Sequence, residues 1–211
     1  MNRLDLAAFR STPLTHEPFP YLIVPHFVQP AALAAINADY PTIQSPGSFP
    51  VAGLSFGSGF QHLLDDLRGS AFRAACEEKF AIDLSGRPNM ITVRGRCGTR
   101  DGNIHTDGIT KLLTVLIYMN PTWEQTGGRL RLLRSPHDIE DTIVEIPPAE
   151  GTLLVFRRTE NSWHGHKPFV GPRRVVQFNW VTSQAVERRE RYRHRVSAFV
   201  KKTLSLFRRS A

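Results

Sequence analysis

The 211-residue sequence predicts a mainly β domain with flanking α-helices, a sandwich or barrel buttressed at its front. Three observations predict it. From Met90 onward, short runs rich in β-branched and aromatic residues follow one another, separated by turn sequences. Before Met90, apolar residues recur at helical spacing. The chain is 41% hydrophobic with no internal repeat, so a single ordinary core is available to it. A jelly roll is one solution to such a strand set, although strand spacing alone does not choose between it and other sandwiches.

The front half reads in order. "PFPYLIVPHFV" holds a short strand, Tyr21 to Val24, between prolines, and "PAALAAINADY" is a helix with Pro30 at its start and Pro41 beyond its end. A Gly-, Ser- and Pro-rich loop covers Ser45 to Gly59. Phe60, Leu63, Leu64 and Leu67, then Phe72, Ala75 and Phe80, sit at helical spacing, and Gly69 divides them into two helices. The back half supplies the strands "MITVRGR", "LLTVLIYM", "GRLRLL", "TIVEIP", "GTLLVFRR", "SWHGHKPF" and "RRVVQFNWV". This divides the chain into residues 1–89 as helical support, 90–186 as the β core and 187–211 as a tail.

Charge follows the same division. Of 27 basic and 19 acidic residues, nine and two lie in 187–211, which leaves 18 and 17 in residues 1–186. A nearly neutral body argues against a domain-wide nucleic-acid surface. Cys76 and Cys97 form no CxxC and read as reduced thiols. The opening residues lack the apolar run of a secretory signal, and the longest apolar run, Leu112 to Met119, is too short to cross a bilayer. A cytoplasmic protein is expected.

The chemistry concentrates in two places. "NIHTDG" carries His105 and Asp107, which an extended backbone would project from one face. Two imidazoles and one carboxylate with open positions make a facial non-haem iron site, so a second histidine is needed from elsewhere. "SWHGHKPFVGPRR" offers His164 and His166, which share one face and which periodicity cannot separate. It also offers Arg173 and Arg174, which face opposite sides, and an Arg fork suits a carboxylate.

The order H-x-D, "YMNPTW", "GGRLRLL", "PPAEGTLLVF", "SWHGH" and "GPRRVVQFNW" resembles the iron(II)- and 2-oxoglutarate-dependent dioxygenases, on the prolyl-hydroxylase-like branch. The resemblance runs from about Ile91 to Val181. It implies a double-stranded β-helix, the cupin-like jelly roll, and Fe(II), 2-oxoglutarate and O2 as cofactors, with ascorbate a candidate reductant. Position by position it implies His105, Asp107 and His164 as metal ligands. It implies Arg174, counted back from Trp180, as the partner of the distal carboxylate of 2-oxoglutarate, and Tyr118 as a second contact to that cosubstrate. Gly127-Gly128 matches a structural turn. The implied reaction is hydroxylation, or a related desaturation, with release of succinate and CO2. Halogenating relatives lack the carboxylate that Asp107 supplies here. The charged approach "VRGRCGTRDG", with Arg94, Arg96, Arg100 and Asp101, departs from the family's frequent aromatic residue and reads as a polar entrance or as solvated surface.

The tail places Val196, Phe199, Val200, Thr203, Leu204 and Phe207 at helical spacing with basic residues between, an amphipathic helix that could dock on the barrel or lie on an anionic membrane. Small-molecule, peptide, glycan and lipid substrates all stay open. Base-repairing relatives carry a second Arg where this chain has Asn179 or Trp180, which argues against nucleic acid. Two rival readings are a cupin-like metalloenzyme without 2-oxoglutarate and a silent barrel serving as a binding or membrane-attached module.

Overall fold

A computed structural model describes residues 3–189 and Tyr192. The expected amphipathic helix of the tail therefore lies almost wholly outside the described residues. The front carries α1 (Leu6–Ser11), β1 (Tyr21–Val24), α2 (Pro30–Ala38), β2 (Phe49–Pro50), α3 (Ser58–Arg68) and α4 (Ser70–Phe80). The back carries β3 (Asn89–Cys97), β4 (Lys111–Tyr118), β5 (Leu130–Leu133), β6 (Thr142–Ile146), β7 (Leu153–Arg157), β8 (His164–His166) and β9 (Gly171–Val181). Two antiparallel sheets result: six strands in the order β1-β7-β4-β9-β3-β2, and three in the order β6-β5-β8. This is the expected jelly roll, with helices on the outer face of the larger sheet.

Strand alternation divides the side chains of that sheet between two cores. Leu113, Val115 and Ile117 of β4 and Val176, Phe178 and Trp180 of β9 pack outward on Phe60, Leu63, Leu67 and Phe72 of the helices. Leu116 and Tyr118 of β4 and Val175 of β9 face inward, against Leu130 and Leu132 of the smaller sheet. A third ring joins the outer stack, since Phe72 lies 5.9 Å from Trp180 and 6.4 Å from Phe178, centroid to centroid. The helices thus hold one face of β4 and β9, and the opposite face is left for chemistry.

Two elements go beyond the sequence reading. Helix α1 was not expected; the Asp5 side chain caps it by accepting from the Ala8 N–H at 2.8 Å. Strand β2 lies inside the expected loop of 45–59 and pairs only Phe49 and Pro50 with β3. Cys76 and Cys97 are buried and unpaired with each other. No helix among the described residues is long and apolar enough to cross a membrane.

Candidate metal centre and cosubstrate pocket

The first half of the site is built by backbone pairing. His105 forms an isolated antiparallel bridge with His164, each N–H donating to the other's carbonyl at 3.0 Å. That pairing stacks the two imidazoles with centroids 4.3 Å apart. Gly165 makes the approach possible, because a Cβ there would stand 2.8 Å from the Gly102 carbonyl oxygen and 3.2 Å from the Ile104 Cα. Asp107 follows in the loop rather than on a strand, as the sequence pattern had suggested. Even so, one ligand atom from each of His105, Asp107 and His164 lies within 4.8 Å of the others.

Neighbours orient each of these groups. His105 and His164 place Nδ1 on the carbonyls of Asn103 and Ser162, at 2.9 and 3.0 Å, which turns each Nε2 toward the centre. Burial pushes His164 down to about 4, with Asp107 opposing and His105 assisting, so its imidazole is neutral and able to ligate. Asp107 takes Lys111 Nζ at 2.6 Å on one oxygen and the Thr114 hydroxyl on the other. Burial works against its charge, but Lys111, His164 and the hydrogen bonds from Lys111 and Thr114 outweigh it and hold the carboxyl at about 2. Two imidazoles and an ionised carboxylate, converging on one point, are the donor set that a divalent transition metal requires.

A cavity of about 130 Å³ runs inward from these residues and is lined by Arg173, Gln177, Leu116, Leu130, Thr92 and Arg94, among others. Arg173 is 5% exposed; its Nε donates to the Gly128 carbonyl at 2.8 Å, and its guanidinium carbon lies 5.5 Å from the Tyr118 ring centroid. The Tyr118 hydroxyl is buried with no hydrogen-bond partner among the described residues. Burial pushes it up to about 12 against the pull of Arg173, so it stays a neutral donor. A buried guanidinium and an unsatisfied phenol side by side suit an incoming carboxylate.

Arg174 is a correction to the sequence reading. It faces the helices, not the cavity: its Nη1 donates to the Asn37 carbonyl and side-chain oxygen at 3.3 Å each, and its guanidinium lies over the Tyr40 ring. The physical reason is the parity of β9. Trp180, the residue used for counting, belongs to the outer stack, so every second residue back from it points outward as well. Of the adjacent pair, Arg173 is the one that lines the cavity. His166 also lines the cavity, and burial followed by the nearby Arg173 lowers it to about 4.

Sequence reasoning passed over Lys111 and Thr114, although Thr114 shares the face of Leu116 and Tyr118 and was legible by parity. Of the charged approach, Arg94 reaches the cavity and pairs with Asp101 at 2.7 Å, while Arg96 lies on the opposite side of the sheet and Arg100 is exposed.

Fold and site are similar to those of a known class of enzymes. Residues 96–182 match the model of the 2OG-Fe(II) oxygenase superfamily. A prolyl-4-hydroxylase from Pseudomonas putida superposes with a TM-score of 0.58 at 14% identity, over 86% of this chain and 97% of that one. The viral collagen prolyl hydroxylase from Paramecium Bursaria Chlorella virus-1, solved with 2OG, gives 0.53 at 17% identity, over 77% and 96%. An oxidoreductase of the 2OG-Fe(II) oxygenase family from Burkholderia pseudomallei gives 0.51 at 14%, over 85% and 92%. No curated protein matches the sequence. The matched segment is similar to 2OG-Fe(II) oxygenases and contains His105, Asp107, His164, Tyr118 and Arg173, on a fold similar to that of the prolyl-4-hydroxylases. Fe(II), 2-oxoglutarate and O2 are the cofactors of that class.

Proposed function

We propose that the protein hydroxylates a C–H bond of a substrate held at the mouth of the cavity, consuming 2-oxoglutarate and O2 and releasing succinate and CO2. The observation that carries this reading is the pairing of the convergent His105, Asp107 and His164 donors with Arg173 in one cavity, the Tyr118 ring lying against that arginine. His105, Asp107 and His164 would hold Fe(II), and Arg173 and Tyr118 the distal carboxylate of 2-oxoglutarate. The bound iron supplies redox chemistry at open coordination positions.

The chain's own residues do the rest. Lys111 and Thr114 fix the Asp107 carboxylate in one orientation. Ser162 and Asn103 fix the imidazole tautomers. Leu116, Leu130 and Val175 line the cavity with apolar surface between the metal end and Arg173, which keeps water from the cosubstrate's chain. His166, Gln177 and Thr92 offer polar contacts to whatever enters. The Arg173 and Tyr118 pair does not favour a metalloenzyme that dispenses with 2-oxoglutarate, and the complete donor set does not favour a silent barrel.

The substrate is a small molecule, a peptide, or a glycan or lipid rather than nucleic acid. A cytoplasmic setting, with peripheral membrane contact through 188–211, belongs to the same proposal. The test is conversion of 2-oxoglutarate to succinate by the Fe(II)-loaded protein, which proceeds slowly without substrate in a competent site. Wild-type protein that makes no more succinate than His105→Ala would overturn the proposal.

A further inference from the structure

The strand pair β3 and β9 carries arginines on both of its faces. Arg94 and Arg173 face the metal cavity. Arg96 and Arg174 face away from it, into a second cavity of about 510 Å³ on the outer side of the sheet. A register shift between Arg94 and Arg96 accounts for the division on β3. Three steps of β9, Val175 to Pro172, answer two of β3, Arg94 to Arg96, so Arg96 comes to lie opposite Pro172 on the outer face.

The outer cavity is built rather than merely open. Gly95 lets the segment 40–44 lie directly on the strand, since a Cβ there would stand 2.7 Å from the Ile43 Cβ. The Tyr40 hydroxyl donates to the Arg94 carbonyl at 2.8 Å and lies 3.2 Å from the Val175 carbonyl, which ties that segment to both strands. Arg174 is held over the Tyr40 ring, 5.1 Å from its centroid, and braced by Asn37. Arg96 lies opposite Pro172 in the ladder and points into the same space. Thr42 and Gln44 complete the polar part of the wall.

Charge gives this cavity its character. No carboxylate lines it, and neither Arg96 nor Arg174 forms an ion pair among the described residues. Two guanidinium groups on one cavity repel each other unless an anion lies between them, and their planar forks match paired anionic oxygens. Arg94, on the opposite face of the same strand, has its charge met by Asp101. Among the described residues the outer pair has no such acidic partner, and it is available to a ligand.

We propose that this outer cavity is a binding site for a small multivalent anion, a phosphate or a di- or tricarboxylate, gripped between Arg96 and Arg174. The site is separate from the metal cavity by the thickness of the sheet, and it stands independently of the catalytic reading. Arg174 supplies a braced fork, Arg96 the second arm, and Thr42 a hydroxyl donor.

The test is calorimetric titration of the full metal-free chain with inorganic phosphate and, in a separate arm, with citrate, at constant ionic strength. Saturable binding of either probe is expected, and the stronger arm identifies the oxygen chemistry. Arg96→Met should weaken it by about tenfold or more, as loss of a charge-assisted hydrogen bond does, while Arg173→Met should leave it intact. Arg174→Lys, which keeps the charge and loses the fork, should weaken it as well. Among the described residues Arg96 makes no side-chain bond that its removal would break, so Arg96→Met keeps the test valid even where Arg174 variants fold poorly. Absence of saturable heat with both probes overturns the proposal. So does binding that Arg173→Met abolishes and Arg96→Met spares.

Discussion

The Arg173 guanidinium and the Tyr118 ring face each other inside the barrel, 5.5 Å apart, one from β9 and the other from β4. The strands are neighbours in register, with Tyr118 opposite Val175, so the contact is set by sheet pairing. A full positive charge at 5% exposure is costly unless something negative arrives to meet it. The distal carboxylate of the cosubstrate is the expected partner. Arg173→Met should therefore weaken 2-oxoglutarate binding by about 100-fold, the usual cost of removing one partner of a buried charged pair. Arg174→Met should change it little. Equilibrium titration of both variants under anaerobic conditions distinguishes them, and equal losses would count against the assignment of Arg173.

Tyr118 makes a prediction of opposite signs. Its hydroxyl is buried beside Arg173 and makes no well-formed hydrogen bond among the described residues, which is destabilising. Tyr118→Phe should raise the stability of that form, by about 1 kcal/mol in denaturant unfolding, while weakening 2-oxoglutarate several-fold. A variant less stable than wild type, with unchanged cosubstrate affinity, would assign Tyr118 to packing alone.

Acid stability tests the hold on Asp107. In the metal-free protein its carboxyl is lowered from 3.8 to about 2. The carboxylate then contributes its full stabilisation above the unfolded value and loses it as pH falls through the folded one. That contribution is on the order of 2 kcal/mol. Lys111→Met removes the main opposing charge to burial, so the acid-unfolding midpoint of the metal-free variant should move to higher pH. Circular dichroism against pH measures it, and an unmoved midpoint would mean that the Lys111–Asp107 pair contributes nothing.

Much of this was legible in the residues themselves. Helical spacing found α3 and α4, and the strand runs found β3 to β9, because each segment repeats its apolar residues at one clear period. His105, Asp107 and His164 were legible as a motif set, and the fold brings them together. The arginine was not. Adjacent residues on a strand face opposite ways, and the landmark chosen, Trp180, packs on Phe72 outside the barrel rather than within it. A landmark on the inner face, such as Asn179, whose side-chain oxygen lies 3.0 Å from the Thr114 hydroxyl, gives Arg173 by the same count. The register shift that sets Arg96 opposite Pro172 leaves no period to read in the sequence. Helix α1 was missed because a six-residue helix has too few turns to show a period.

The central claim is that one cavity holds Fe(II) on His105, Asp107 and His164 and 2-oxoglutarate on Arg173. Visible absorption of the anaerobic protein with both added tests it most directly, since chelation of the oxo acid to Fe(II) produces a metal-to-ligand charge-transfer band. That band is expected in wild type and in His166→Ala, and its loss in His164→Ala. A wild-type protein with no band, or a band that survives His164→Ala and disappears in His166→Ala, would contradict it.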